Sequence, residues 1–139
     1  MDIKTAEEER LLKRVKGEQD LIEKEIKSAE SDLETSKTML KQENYKWCIA
    51  TSYYVAFHAS RALMYSFDLK EIKHEGIRVF LEDRVKVGKL DSEFLHKFKA
   101  LKSMRESANY EGTFSEERAK EALDMAEEFF DEIKSKLKL

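Results

Sequence analysis

Proline is absent from this chain of 139 residues, cysteine occurs once and glycine four times. The single cysteine, Cys48, excludes a disulfide within the chain and any zinc site built on a cluster of cysteines. Because proline is absent and 40% of the residues are charged, the composition is typical of long solvated helices joined by short turns. The length suits one domain with a substantial apolar core.

An excess of positive charge is also lacking, since 26 Lys and Arg residues stand against 29 Asp and Glu residues. The net charge of −3 gives no general basic field, so nucleic-acid binding would need a local basic patch. The first residues contain no apolar run, which argues against a signal peptide and predicts a cytoplasmic protein. The chain has no glycine-rich phosphate loop, no HExxH or GxSxG motif, and only three scattered histidines. We therefore predict neither a metal nor a cofactor.

The stretch from Asn44 to Phe67 contains only two formally charged residues, Lys46 and Arg61. Two sets of residues recur in it at helical spacings of three and four: Trp47, Thr51, Tyr54, His58, Arg61 and Tyr65, and Ile49, Tyr53, Phe57, Ser60 and Met64. A helix that is apolar nearly all round is either surrounded by other helices or spans a membrane. The tyrosines, His58 and Arg61 favour the first alternative. We predict the buried central helix of a bundle and no association with a membrane.

One-sided apolar patterns predict the remaining helices. Residues 18–42 carry a narrow apolar stripe, and further stripes follow over 74–88, 91–110 and 113–137. Gly88 fits a helix C-terminus, Asp91 or Ser92 fits a cap, and Thr113–Glu116 has the form of a capping box. Nothing alternates with period two for long enough to predict a strand, and residues 69–73 are interpreted as a connector. The pattern predicts an all-α, up-and-down antiparallel bundle of about five helices over residues 18–139. Residues 1–17, with a capping box at Thr5–Glu8, are predicted to be an N-terminal helical extension.

Arg105 lies on the apolar stripe of its predicted helix, four residues after Leu101. A buried guanidinium without a partner would cost several kcal/mol, so this arginine needs a carboxylate, a ligand or a watery cleft. One interpretation is that it pairs with an acid of a neighbouring helix. The other is that its planar fork holds a phosphate group. Asn109 and Tyr110 would follow on or near the same face.

Tyr54, His58 and Arg61 form a second candidate set, one above another along a face of the central helix. His58 is interpreted either as a satisfied core histidine or as a proton-transfer group. His74, at a predicted helix start, could approach either set, and the sequence alone does not decide between them.

The run Ala50–Leu63 resembles the central-helix signature of HEPN-domain proteins, small helical domains of nucleotide-binding proteins. The segments Ala29–Tyr45, His74–Ile77 and Arg105–Tyr110 resemble the same family, so the resemblance covers about residues 18 to 137. It implies a helical bundle that forms a homodimer and is often encoded beside a minimal nucleotidyltransferase. Many such pairs resemble toxin–antitoxin modules, in which the HEPN partner is a metal-independent RNase.

The family RNase site implied by this resemblance contains an arginine, a neighbouring polar residue, and a histidine four to six positions after the arginine. Arg105 occupies the arginine position and Glu106 the neighbouring one, but no histidine follows Arg105 in the chain. Asn109 and Tyr110 stand there instead, and a phenol with an ordinary pKa near 10 is a poor proton shuttle at neutral pH.

Three functions remain open at the level of sequence. The first is a homodimeric binding module that partners a minimal nucleotidyltransferase and faces a nucleotide or RNA phosphate, in a cleft with Arg105, Tyr54, His74, Asn109 and Tyr110 as candidate residues. The second is an active metal-independent RNase toxin with a rearranged site, in which Arg105 and His58 are catalytic. The third is a structural bundle without a ligand, in which Arg105 is paired with an acid and excluded from solvent.

Overall fold

A computed structural model of the chain describes residues 1–111 and 114–138, with side chains described except at residues 108–111. Within this part, the elements in chain order are α1 (Ile3–Glu8), β1 (Leu12–Arg14), α2 (Gln19–Lys41), α3 (Tyr45–Ser66), β2 (Leu69–Glu71), α4 (Glu75–Lys86), α5 (Ser92–Glu111) and α6 (Glu116–Leu137). Of the described residues, 77% are helical. The predicted all-α bundle is confirmed, with one short helix and two short strands in addition.

Helix α3 is the centre of the bundle and packs against α2, α5 and α6. Most of its residues are buried, as the low charge of this stretch predicts. One stripe of the helix stays partly exposed, however, and consists of Trp47, Thr51, Tyr54, His58 and Arg61; we call it the open stripe of α3. The sequence pattern did not show that this face of the helix is left uncovered. Across the described residues, no helix is both long and apolar enough to cross a membrane.

The first residues of the chain are joined to the connector after α3 by a small sheet. Strand β1 pairs antiparallel with β2, with Leu12 opposite Glu71 and Arg14 opposite Leu69. The expectation of no strand was therefore wrong, because three residues per strand are too few to show alternation in a sequence. The capping box at Thr5 was also wrong. Asp2 is the N-cap of α1, and its side chain accepts a hydrogen bond of 2.8 Å from the backbone N–H of Thr5.

Three helix ends can be compared with the residues that predict them. Gly88, just beyond α4, adopts a positive φ of 76°, as expected for a glycine that ends a helix. Asp91 caps α5 by accepting a hydrogen bond from the N–H of Glu93 at 3.0 Å. The cap of α6 is Ser115, which accepts from the N–H of Arg118 at 3.1 Å. Thr113, the residue predicted to begin this cap, lies outside the described residues.

Cys48 is fully buried between α3 and α6, and its thiol donates to the carbonyl oxygen of Ala119 over 3.7 Å. Burial raises the pKa of the Cys48 thiol to about 11, against a smaller lowering by a hydrogen bond with Ser52. A thiol with so little thiolate character is a core residue and a poor nucleophile.

Candidate functional site

The guanidinium of Arg105 on α5 is held against two tyrosines of α3. Its Nη2 donates a hydrogen bond to the hydroxyl oxygen of Tyr54 at 3.1 Å. Its Cζ lies 5.2 Å from the ring centres of both Tyr53 and Tyr54, at distances typical of cation–π contacts. Burial raises the pKa of the Tyr53 phenol, although the nearby Arg105 charge opposes this effect.

Arg105 is only partly buried. Within the described side chains, no carboxylate oxygen lies within 4.0 Å of its guanidinium nitrogens, the limit for an ion pair. The two aromatic rings and the hydroxyl therefore fix the position of the guanidinium without neutralising its charge. Such a group is arranged to receive an anion.

His58 is one turn beyond Tyr54 on α3, but it is directed at α2. Its Nδ1 lies 2.7 Å from Oε2 of Glu25, and its Nε2 lies 3.6 Å from Oδ2 of Asp32. Glu25 is only 8% exposed. Burial raises the pKa of the Asp32 carboxyl, against a lowering by the charge of His58. All three histidines of the chain are among the described residues, and none forms a hydrogen bond with Arg105.

Arg61 continues the same set of charges one turn further along α3. Its Nε donates a hydrogen bond to Oε1 of Glu71 at 2.5 Å, and its Nη2 lies 2.5 Å from the same oxygen in an ion pair. Its Nη1 lies 3.8 Å from Oε1 of Glu25. Its Cζ stacks 4.5 Å from the ring centre of Phe57. Glu25, Asp32, His58, Arg61 and Glu71 thus form one chain of charges between α3, α2 and β2, which we call the acid–base network.

Sequence analysis did not identify Glu25 or Glu71 as part of a site. For Glu25 a signal was available, since it lies three residues after Ile22 and four before Ala29, and so on the apolar stripe of α2. Glu71 had no such signal, because its burial depends on the pairing of β2 with β1.

The remaining predicted site residues lie elsewhere or outside the described part. His74 is exposed at the start of α4, and its ring centre is 5.3 Å from that of Phe57. Asn109 and Tyr110 belong to α5, but their side chains are among those not described. The structure therefore brings Tyr54 to Arg105 and ties His58 to α2. Across the described residues, no three His, Cys, Asp or Glu side chains are grouped to hold a metal ion.

An open groove of about 650 Å³ runs beside His58 along the outer face of α2. It is lined by Asp20, Glu23, Lys24, Lys27, Ser28, Ser31, Asp32 and His58. Both acids and bases line the groove, so it offers no strong field of one sign.

Comparison with known proteins agrees with this fold. The family model for the HEPN domain matches residues 22–136, which is most of the chain. The chain belongs to the HEPN family. The resemblance found in Ala50–Leu63 is thereby confirmed.

Two relatives of this HEPN chain are proteins of Methanocaldococcus jannaschii (strain ATCC 43067 / DSM 2661 / JAL-1 / JCM 10045 / NBRC 100440). The protein named "Putative toxin MJ0142" is 29% identical over 93 residues, which are 66% of this chain and 63% of that protein. The protein named "Putative toxin MJ0605" is 30% identical over 115 residues, which are 81% of this chain and 86% of that protein. The chain thus spans less than two thirds of the first relative and most of the second.

Proposed function

We propose that this HEPN protein is a toxin-like binding module that holds a phosphate group of RNA at Arg105. The observation that carries the proposal is the Arg105–Tyr54 pair, a guanidinium fixed by a neighbouring hydroxyl and two rings but left without a described carboxylate partner. The names of its two relatives support the word toxin-like, because both are called toxins.

The chemistry of the pair suits a phosphodiester. A guanidinium can bind two oxygens of one phosphate with parallel N–H groups, and fixing it in advance lowers the entropy cost of that contact. The Tyr54 hydroxyl oxygen already accepts from Arg105, so its own O–H is left to donate to a phosphate oxygen. The guanidinium of Arg105 lies against the rings of Tyr53 and Tyr54. These contacts keep the guanidinium at the open stripe of α3.

The alternative of a purely structural arginine has less support. That interpretation requires an acid partner and exclusion from solvent. The described side chains provide no such acid, and Arg105 is partly exposed. By contrast, Arg61 on α3 shows what a structural pairing looks like in this protein, with a hydrogen bond and an ion pair to the buried carboxylate of Glu71.

We further propose that the protein acts as a homodimer with a minimal nucleotidyltransferase as its partner protein, in the cytoplasm. The open stripe of α3 supports an interface, because a central helix that leaves Trp47 52% exposed has a face available to another chain. A self-complementary contact of two such stripes would have two-fold symmetry.

RNA cleavage without a metal is the second candidate function. In that reaction the 2′-hydroxyl gives its proton to a base and its oxygen bonds to the adjacent phosphorus. The bond from phosphorus to the 5′-oxygen breaks, and the departing 5′-oxygen takes a proton from an acid. One observation favours His58 for the proton transfers: Nδ1 is held by Glu25 at 2.7 Å, whereas Nε2 lies 3.6 Å from Oδ2 of Asp32, too far for a hydrogen bond. The bond to Glu25 also holds His58 away from Arg105 of the same chain, so catalysis would need His58 and Arg105 of two protomers at one phosphate.

The test of the binding proposal compares RNA affinity of wild type, Arg105→Gln and Arg10→Gln by fluorescence anisotropy at low salt. Arg10 is an exposed arginine outside the site, so the control removes the same charge. We expect Arg105→Gln to weaken binding about tenfold or more, as for the loss of a hydrogen-bonded ion pair. Equal affinities of the three proteins would overturn the proposal.

The cleavage candidate is tested in the same preparations with chelator present. Cleavage by wild type that is lost in both Arg105→Gln and His58→Gln would establish the RNase. Binding without cleavage would leave the phosphate-binding module as the function. The size of the protein in solution, measured alongside, tests the homodimer.

A further inference from the structure

A second cavity lies at the opposite end of α3 from Trp47, where the first turn of α2, the end of α3, the α4–α5 turn and the end of α6 meet. Its volume is about 320 Å³. Its walls are mainly apolar and are formed by Ile22, Leu63, Phe67, Leu90 and Leu137. This volume is at the lower end of the range for small-molecule sites, about 300–1,000 Å³. We call it the basic-rimmed pocket.

The rim of this pocket carries charge of one sign. Arg84, Lys89, Lys136 and Lys138 line it, and no Asp or Glu does. The chain as a whole has more acids than bases, 29 against 26. The four cations come from α4, the α4–α5 turn and the end of α6, and no Asp or Glu is among the lining residues, so the rim differs from the mixed surface of the rest of the protein.

The four cations are not equally available. Arg84 donates to the buried carboxylate of Asp83 at 2.6 Å, and its Cζ stacks 5.0 Å from the ring centre of Phe67. For Lys89, Lys136 and Lys138, the described side chains provide no carboxylate within ion-pair distance. Lysines at the end of α6 also offset the helix dipole. Lys89 lies in the turn just beyond the C-terminus of α4, and its backbone N–H donates to the carbonyl oxygen of Arg84 at 2.8 Å.

The lining chemistry narrows the class of ligand. Besides the cations, the polar groups on the walls are the side chains of Gln19 and Ser66, and the Ser66 hydroxyl already donates to the carbonyl oxygen of Leu63. A heterocyclic base would bury edge groups that need hydrogen-bond partners, and these walls offer few. A hydrocarbon body needs none and gains from burial against Ile22, Leu63 and Leu90.

We propose that the basic-rimmed pocket binds a soluble amphipathic anion of the medium-chain carboxylate class, with its chain inside the pocket and its carboxylate at Lys89, Lys136 and Lys138. This site is separate from Arg105 and does not depend on RNA binding there. The walls supply the apolar contact and the rim supplies the charge, so the head and the chain both contribute to affinity.

The test is calorimetric titration of the full chain with three compounds. Octanoate is the whole ligand, 1-octanol has the hydrocarbon chain without the charge, and acetate has the carboxylate without the long chain. The test variant is Lys89→Gln/Lys136→Gln, with Lys86→Gln as the control, because Lys86 is exposed on α4 but does not line the pocket. Arg105→Gln is included to keep the two sites apart. Vesicles of phosphatidylglycerol provide the same chemistry in membrane form.

We expect octanoate to bind wild type, Lys86→Gln and Arg105→Gln alike, and the double variant about tenfold more weakly. Octanol and acetate should each bind more weakly than octanoate. No octanoate binding at millimolar concentration, equal binding of octanol, an unchanged double variant, or binding to vesicles without octanoate binding would each overturn the proposal. Loss of octanoate binding in Arg105→Gln would also overturn the proposal, because octanoate would then bind at Arg105 and not in the basic-rimmed pocket.

Discussion

Nδ1 of His58 lies 2.7 Å from Oε2 of Glu25, so a buried carboxylate of α2 fixes the orientation of the histidine on the central helix. The other oxygen of Glu25 lies 3.8 Å from Nη1 of Arg61. Glu25 therefore contacts two side chains of α3 at once, His58 and Arg61. Its position joins α2 to α3 by charge as well as by apolar packing.

Replacing Glu25 is expected to destabilise the fold. Glu25→Ala leaves His58 and Arg61 without this buried carboxylate, and we expect a loss of about 2 kcal/mol in the free energy of unfolding. Urea unfolding followed by circular dichroism measures it. Glu30→Ala, at an exposed position of the same helix, should stay within about 0.5 kcal/mol of wild type. Equal losses in the two variants would contradict the structural role of Glu25.

The pH dependence of the free energy of unfolding is expected to show the effect of burying the Asp32 carboxyl. Burial raises the pKa of its carboxyl above the ordinary value of 3.8, so the folded state holds this proton more tightly than the unfolded state does. The contribution of Asp32 to stability therefore falls as the pH rises from 3.8 through the raised pKa, and the full penalty is present above it.

Asp32→Asn removes that penalty. We expect the variant to be more stable than wild type at neutral pH, with the gain shrinking as the pH is lowered toward 3.8. Urea unfolding of both proteins across a pH series measures the difference. A variant that is less stable than wild type at pH 7 would mean that the contact with His58 outweighs the burial of Asp32.

The hydroxyl of Tyr54 is expected to matter for both the ligand and the fold. Tyr54→Phe removes the hydrogen bond to Arg105 and should weaken RNA binding several-fold, while the free energy of unfolding falls by about 1 kcal/mol. Tyr53→Phe is the matched control, because Tyr53 also stacks on the guanidinium and among the described contacts its hydroxyl makes no bond to Arg105. If both variants bind RNA as wild type does, Tyr54 does not position Arg105.

Two glycines hold the N-terminal segment against the bundle. A Cβ on Gly17 would lie 1.7 Å from the carbonyl oxygen of Tyr65, and one on Gly76 would lie 2.3 Å from that of Leu11. Because the backbone itself would have to move, we expect Gly17→Ala and Gly76→Ala each to lower the free energy of unfolding by at least about 2 kcal/mol.

The control for these glycines is Gly88→Ala, whose Cβ would meet nothing within 4 Å and only suffers the positive φ of 76°. We expect a loss of roughly 1 kcal/mol there. Thermal unfolding of the three variants under one condition ranks them. A ranking with Gly88→Ala as the most damaging change would show that the close approaches are not as tight as described.

The helices could be predicted from the sequence because each helix buries one face. The apolar residues of a buried helix face recur at spacings of three and four, which the sequence shows directly. The sheet could not be predicted from the sequence. The paired residues Arg14 and Leu69 are 55 positions apart in the chain, and the strands pair through backbone groups that every residue carries. The cap of α1 was misassigned because both Asp2 and Thr5 can cap, and sequence does not rank them.

The candidate site could be predicted only in part, for a similar reason. Arg105 stood out because a charge on an apolar stripe contradicts its surroundings, and the same argument applied to Glu25 would have drawn attention to α2. The partners of these charges could not be predicted from the sequence. The side chains that Tyr54 and His58 contact depend on how α3 is rotated about its axis relative to the neighbouring helices. Spacing along one helix places residues on a face but does not say which helix covers that face.

The pairing of β1 with β2 also sets an order for folding during synthesis. Residues 12–14 leave the ribosome first, and their strand partners at 69–71 follow only after α2 and α3 have been made. The N-terminal segment must therefore wait, unpaired, until the central helix has emerged. We infer that the two longest helices of this half assemble first and that the start of the chain closes over them afterwards.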